Sequence, residues 1–328
     1  MCTSFTYKDK TQANALARTM DFAFVLDPDA VLIPRAYRWK AEVDGVERET
    51  AYAFAGLARN DKEFVFADGV NEKGLCCAAL YFSGFAYYES EAARDAVNLA
   101  PHEVVFWLLS AFATTEEAIA GLSGARVVDI PIQLLGLTPP LHWIITDASG
   151  RTAVIEPVED GIQIYDNPLG VMSNAPEFPW HVTNIRNYIG VNPNPTKPLV
   201  LDGVSFTQFG QGSGTFGLPG DYTPPSRFLR VLFGKKTALA SENEADAMTA
   251  IVHLLSTVDI PKGSVATDHG VDYTQHSSIM FCETGRYCFR TYDNSQICMI
   301  DLFAHDLDAQ EPYVWDIPKE QHVQVVGE

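Results

Sequence analysis

Basic residues are scarce in this chain: Lys and Arg number 23 against 42 Asp and Glu over 328 residues, a formal charge of −19. That deficit repels phosphate backbones and anionic membrane surfaces, so neither nucleic acid nor a membrane is expected as a partner. Long apolar runs are missing too, and no stretch reaches the roughly 18 uninterrupted apolar residues of a membrane helix. The N-terminal segment lacks a basic region followed by an apolar run and a small-residue cleavage site, which leads us to expect a cytoplasmic protein with reduced thiols. The six cysteines (Cys2, Cys76, Cys77, Cys282, Cys288, Cys298) form no CxxC pair, and the eight histidines are scattered. No metal is therefore expected.

Several motifs fail for want of one residue. "HEVVF" has Phe106 where a zinc protease needs its second histidine. "GQGSGTFG" at 210–217 has glycines spaced as in nucleotide loops but no Lys-Ser/Thr, and no GxSxG elbow occurs anywhere.

Short strand-like runs dominate what is present, several divided by Asp-Gly, Ser-Gly or Asp-Asn turn signals that favour antiparallel hairpins. "HWIITDASGRTAVIEP" is the clearest, two strands bridged by Asp147 to Gly150. Helical patterns come in separate blocks: "PHEVVFWLLSAF", "TTEEAIAGL" with a Thr cap, "SRFLRVLFG", and "SENEADAMTAIVHLLSTV" with Ser241 as cap and Glu244 three positions on. Strands and helices in blocks, without βαβ alternation, predict an α+β layered sandwich. We expect one domain over 1–328, with an ordered loop from about 193 to 225. Adjacent Cys76 and Cys77, inside "GLCCAALYF", read as buried small hydrophobes.

The chain opens "MCTSF". If Met1 is removed, Cys2 carries a thiol nucleophile and an α-amine on one residue. An α-amine titrates at about 7.7 to 8.0, so near neutrality part of it is free to accept the thiol proton. "ARTMDF" adds Arg18, which can stabilise a thiolate, and Asp21, which can orient an α-ammonium. Spacing alone equally allows an ordinary surface ion pair.

"MCTSF", "ARTMDF", "GVNEKGL" (69–75), "VMSNAPEFPWHVTNIRNYIGV" (171–191) and "GLPGDYTPPSRFLR" (217–230) together resemble the choloylglycine hydrolase family, the cysteine branch of the N-terminal-nucleophile hydrolases. The resemblance runs in order from residue 2 to about residue 295. It implies a four-layer αββα sandwich and a cofactor-free amidohydrolase acting on a small N-acyl amide. It implies Cys2 as nucleophile, Arg18 and Asp21 flanking it, and Arg227 as a second arginine. Asn174 and the Tyr81 backbone become oxyanion donors. A tyrosine at position 81 is what penicillin V acylases of this family tend to carry, bile salt hydrolases tending to asparagine. The resemblance therefore implies cleavage of penicillin V to phenoxyacetate and 6-aminopenicillanate. Conjugated bile salts or N-acyl-homoserine lactones are the alternatives. It also implies a homo-oligomer, a tetramer. Two rival readings are a non-catalytic small-molecule binding protein on the same scaffold and a redox protein using Cys76 and Cys77.

Overall fold

In a computed structural model, which describes residues 1–60, 62–133, 135–268 and 270–327, two antiparallel sheets stack face to face. The smaller, seven-stranded sheet is built on β1 (Cys2–Lys8) and β2 (Asn14–Phe22). Its order runs Val171–Met172, β1, β2, Gly270–Phe281, Arg286–Thr291, Cys298–Asp301. The larger, nine-stranded sheet includes Leu141–Thr146, Cys76–Tyr81, Asp68–Asn71 and Phe54–Asn60 as successive neighbours.

Helices α1 (Val104–Ala111) and α2 (Thr115–Leu122) bury Val105, Leu108 and Leu122 against Phe54, Cys77 and Ala79 of the larger sheet. A short α3 (Phe178–Asn184) leads to α4 (Pro224–Thr237) and α5 (Glu244–Ser256). Phe228, Val231, Ile251 and Leu254 of α4 and α5 join the core formed by the smaller sheet. The layers are therefore helix, sheet, sheet, helix, the expected αββα sandwich.

Period-two alternation explains the cysteine pair. Successive strand side chains point to opposite faces, so Cys76 enters the core between the sheets and Cys77 the core under α1. Both are fully buried and neither can reach the other, which removes the basis of the redox reading. The sulfur that Cys76 does meet is Cys282, at 3.5 Å.

Strands Leu141–Thr146 and Thr152–Val158 form the expected hairpin, with Gly150 at φ +79° donating its N–H to the Asp147 carbonyl at 2.8 Å. One local expectation changes. The cap of α5 is Asn243, whose side chain accepts from the Asp246 N–H; Ser241 instead meets the Tyr7 hydroxyl at 2.9 Å. Asp68-Gly69, unlike Asp44-Gly45, Asp160-Gly161 and Asp202-Gly203, makes no left-handed turn and lies inside a strand. A Cβ on Gly69 would lie 2.7 Å from the Ala55 carbonyl and 2.8 Å from Leu109 Cδ1, so glycine is needed there for close packing. The loop-rich region contains a small hairpin, Leu199–Leu201 with Val204–Phe206, whose apolar side chains are more than half exposed.

Candidate active site

Register decides what surrounds Cys2. In the β1–β2 ladder Cys2 faces Met20 and Ser4 faces Arg18, so Cys2, Arg18 and Met20 project from one face of the sheet. Thr19 and Asp21 project from the other. The guanidinium of Arg18 donates through Nη2 to Cys2 Sγ at 2.9 Å and through Nη1 to Asp68 Oδ2 at 2.9 Å. Arg18 and Asp68 are both fully buried. Burial alone would lower the Arg18 pKa, but the charges of Cys2 and Asp68 outweigh it and raise it, so the side chain is a fixed cation.

From the opposite face, Arg227 of α4 reaches the same residue. Its Nη1 donates to the Cys2 carbonyl at 2.6 Å and to Thr3 Oγ1, and Nη2 donates to Asn174 Oδ1 at 2.6 Å. Asp21 Oδ2 lies 3.6 Å from Arg227 Nη1 and accepts from Thr19 Oγ1 at 3.0 Å, while Oδ1 accepts from Thr274 Oγ1 at 2.6 Å.

Asn174 ties these groups to the larger sheet. Its Oδ1 accepts from the Cys2 backbone nitrogen at 2.8 Å, and its Nδ2 donates to the Tyr81 carbonyl at 2.7 Å. An amide nitrogen carries two hydrogens, so this bond uses one and leaves the other. His181 Nε2, 2.8 Å from the Asn174 carbonyl, fixes the asparagine from behind. Met1 is present, its amine donating to the Asp21 carbonyl at 2.5 Å and lying 3.6 Å from Asp272 Oδ2. The Cys2 nitrogen is accordingly a peptide nitrogen here.

The sulfur lies at a cleft whose wall is largely apolar, including Phe22, Leu57, Phe66, Ile132 and Leu141. Tyr81 packs on Phe22 with ring centroids 5.0 Å apart, and burial, reinforced by the charges of Cys2 and Asp272, pushes its phenol up to about 12. It is protonated at neutral pH. Arg59, His102 and His276 are the basic side chains on this wall. Burial holds His276 down to about 4, so it is neutral. Among the described residues no group of three or more His, Cys, Asp or Glu side chains is placed to hold a metal ion.

All six residues singled out from the sequence, Cys2, Arg18, Asp21, Tyr81, Asn174 and Arg227, thus fall within one linked set of contacts. Sequence reasoning missed Thr19, Thr274, Asp68 and Met20. Only alternation about Arg18 hinted at Met20 and Thr19; Asp68, in a strand-like run, gave no sign of its partner on the other sheet.

The linear amide C–N hydrolases of the choloylglycine hydrolase family match residues 2–315. A bile salt hydrolase/transferase from Clostridium perfringens is 35% identical over 313 residues, 95% of each chain. The crystal structure of a mutant conjugated bile acid hydrolase from the same organism superposes with a TM-score of 0.93 at 34% identity, covering 100% of both chains. A penicillin V acylase from Pectobacterium atrosepticum is 23% identical, over 92% of this chain and 81% of its own. The sandwich, the clustered site and these likenesses agree: the chain belongs to the choloylglycine hydrolase family of linear amide C–N hydrolases.

Proposed function

We propose that the protein hydrolyses the amide bond of glycine- or taurine-conjugated bile salts through a thioester on Cys2, after loss of Met1. The observation that carries this reading is the position of Cys2, its sulfur on Arg18 at the wall of an apolar cleft and its backbone nitrogen on Asn174. With Met1 gone, that nitrogen is the α-amine. It takes the thiol proton as sulfur attacks the carbonyl carbon, and the free N–H of Asn174 stabilises the oxygen that gains charge. Breakage of the C–N bond returns the proton to the departing amine. Water then adds to the thioester, giving its proton to the α-amine, and the C–S bond breaks to release the acid and restore the thiol. Asp21 and Arg227 hold the terminus in place.

Likeness to the Clostridium enzyme, 35% against 23% for the acylase, supports our reading of bile salts over the penicillin V expected from Tyr81. A specific feature keeps penicillin V as the second reading: the Tyr81–Phe22 aromatic pair offers a stacking surface for a phenoxy ring. A homo-oligomer belongs to the same proposal, with the exposed apolar hairpin at 199–206 as the surface it would cover. Steady-state kinetics on both conjugate types and on phenoxymethylpenicillin test the substrate. Preference for the conjugates is expected, and preference for penicillin reverses the order. No turnover by protein whose mass shows Met1 removed would favour the binding-protein reading.

A further inference from the structure

Between the two sheets, with buried Ser278 and His276 beside it, lies a buried polar group that the chemistry above does not use. Asp68 stands on the larger sheet, and its Oδ2 accepts from Arg18 Nη1 at 2.9 Å. Its other oxygen, Oδ1, accepts from the hydroxyl of Tyr287 at 2.5 Å, and Tyr287 belongs to the smaller sheet. Asp68, Tyr287 and Arg18 are all 0% exposed.

Stability does not account for this cluster. A buried ion pair is commonly no better than well-packed apolar residues of the same volume, because removing two charges from water costs about as much as their attraction returns. Leu16, Ala55, Leu80 and Met280 show that apolar side chains fill the same layer. Nor does Asp68 touch the cleft, whose wall does not include it. What the carboxylate does is occupy one arm of a fork whose other arm is on sulfur. Arg18 Nε is tied as well, donating to the Thr19 carbonyl at 3.1 Å. With Nε and Nη1 both held, Nη2 is left to the two sulfurs beside it, Cys2 Sγ at 2.9 Å and Met20 Sδ at 3.4 Å.

We propose that Asp68 and Tyr287 are positioning residues for catalysis: Tyr287 orients the Asp68 carboxylate, which aims the Arg18 guanidinium at the Cys2 sulfur and keeps it there through turnover. This rests on the reading of Cys2 as nucleophile. The two possible effects of Asp68 on the thiolate have opposite signs. As a mere counter-charge it weakens Arg18, and its loss would favour thiolate. As an aiming device it sustains Arg18, and its loss would disfavour thiolate. Of the other groups near the sulfur (Tyr81 and His276 on the cleft wall, Arg227 from α4, and Asp21 and Asp272 behind them), His276 feels the charges of Asp68 and Arg18, and Ser278 lies beside the Tyr287 hydroxyl.

The test is the ratio of iodoacetamide labelling rates at Cys2 at pH 6.5 and pH 9, followed by peptide mass, together with kcat and KM on the best substrate. Tyr287→Phe is the main variant because it removes one hydroxyl and keeps the ring; Asp68→Asn and Arg18→Met accompany it. For Tyr287→Phe we expect the labelling ratio to fall about tenfold, the size of a one-unit titration change, and kcat to fall with KM little altered. In the Arg18→Met background the same change should have no further effect, since it acts through Arg18. An unchanged or increased ratio in folded Tyr287→Phe protein overturns the proposal while leaving Cys2 as nucleophile. An additive effect in the double variant overturns it equally. If wild-type protein is not labelled at Cys2, or keeps its activity when labelled, the nucleophile reading itself falls.

Discussion

Cys2 receives a guanidinium from each face of its strand, and each guanidinium has its own carboxylate: Arg18 with Asp68 on one side, Arg227 with Asp21 on the other. Substitution effects at this scale follow from what each atom does. Cys2→Ser should lower turnover by about a thousandfold or more, since an alcohol is a far weaker nucleophile than a thiolate. Asn174→Ala removes the oxyanion donor assigned in the proposed mechanism and should cost about 2.7 to 4 kcal/mol of barrier, a hundred- to thousandfold in kcat, read by steady-state kinetics. Residue by residue, legibility depended on distance along the chain. Cys2, Arg18 and Asp21 lie on adjacent strands within the first 21 residues, so their chemistry suggested a link that the resemblance then favoured over a surface ion pair. Arg227 reaches them from a helix more than 200 residues later, and only resemblance connected it. Tyr287 gave no signal, because a tyrosine in a strand looks like any half-buried aromatic until its partner across the sheets is seen.

At the level of elements, the helix caps show where local rules suffice and where they slip. Thr114 caps α2 as its sequence implies, accepting from the Glu117 N–H at 3.1 Å. At α5 the cap is Asn243 rather than the expected Ser241, which meets Tyr7 of β1 instead. Asn243→Ala should therefore destabilise the fold by about 1 kcal/mol, and thermal unfolding would show it. The strand around Asp68 shows the reverse case: Asp-Gly signals a turn where the backbone must bend left-handed, but here glycine serves the close approach of Leu109 and Ala55 within a strand. The hairpin at 141–158 was legible because its two apolar strands are separated by clear turn chemistry. Layer order, in contrast, is set by which faces of two sheets meet, and no single stretch encodes that.

For the whole molecule, buried histidines set the acid limit. His181 and His276 are each held down to about 4 by burial, against an ordinary 6.5. Between these values the unfolded chain binds protons that the folded protein refuses, so stability is fully present above pH 6.5 and falls as the pH drops toward 4. Each contributes on the order of 3 kcal/mol to that loss. Glu103, pushed up to about 7 by burial, acts in the opposite direction over the upper part of the range. His276→Gln should flatten the acid limb, seen as a smaller fall in urea midpoint between pH 7 and pH 4.5 than in wild type. The two cation–carboxylate pairs around Cys2 have a different consequence. Their four side chains are wholly enclosed, whereas most of the −19 charge lies on the surface. Dissolved ions screen exposed charges within about 10 Å at 0.1 M but scarcely enter such an interior. Raising the ionic strength should thus alter how anionic substrates approach the protein while leaving the thiol's intrinsic reactivity toward a small neutral alkylator nearly constant.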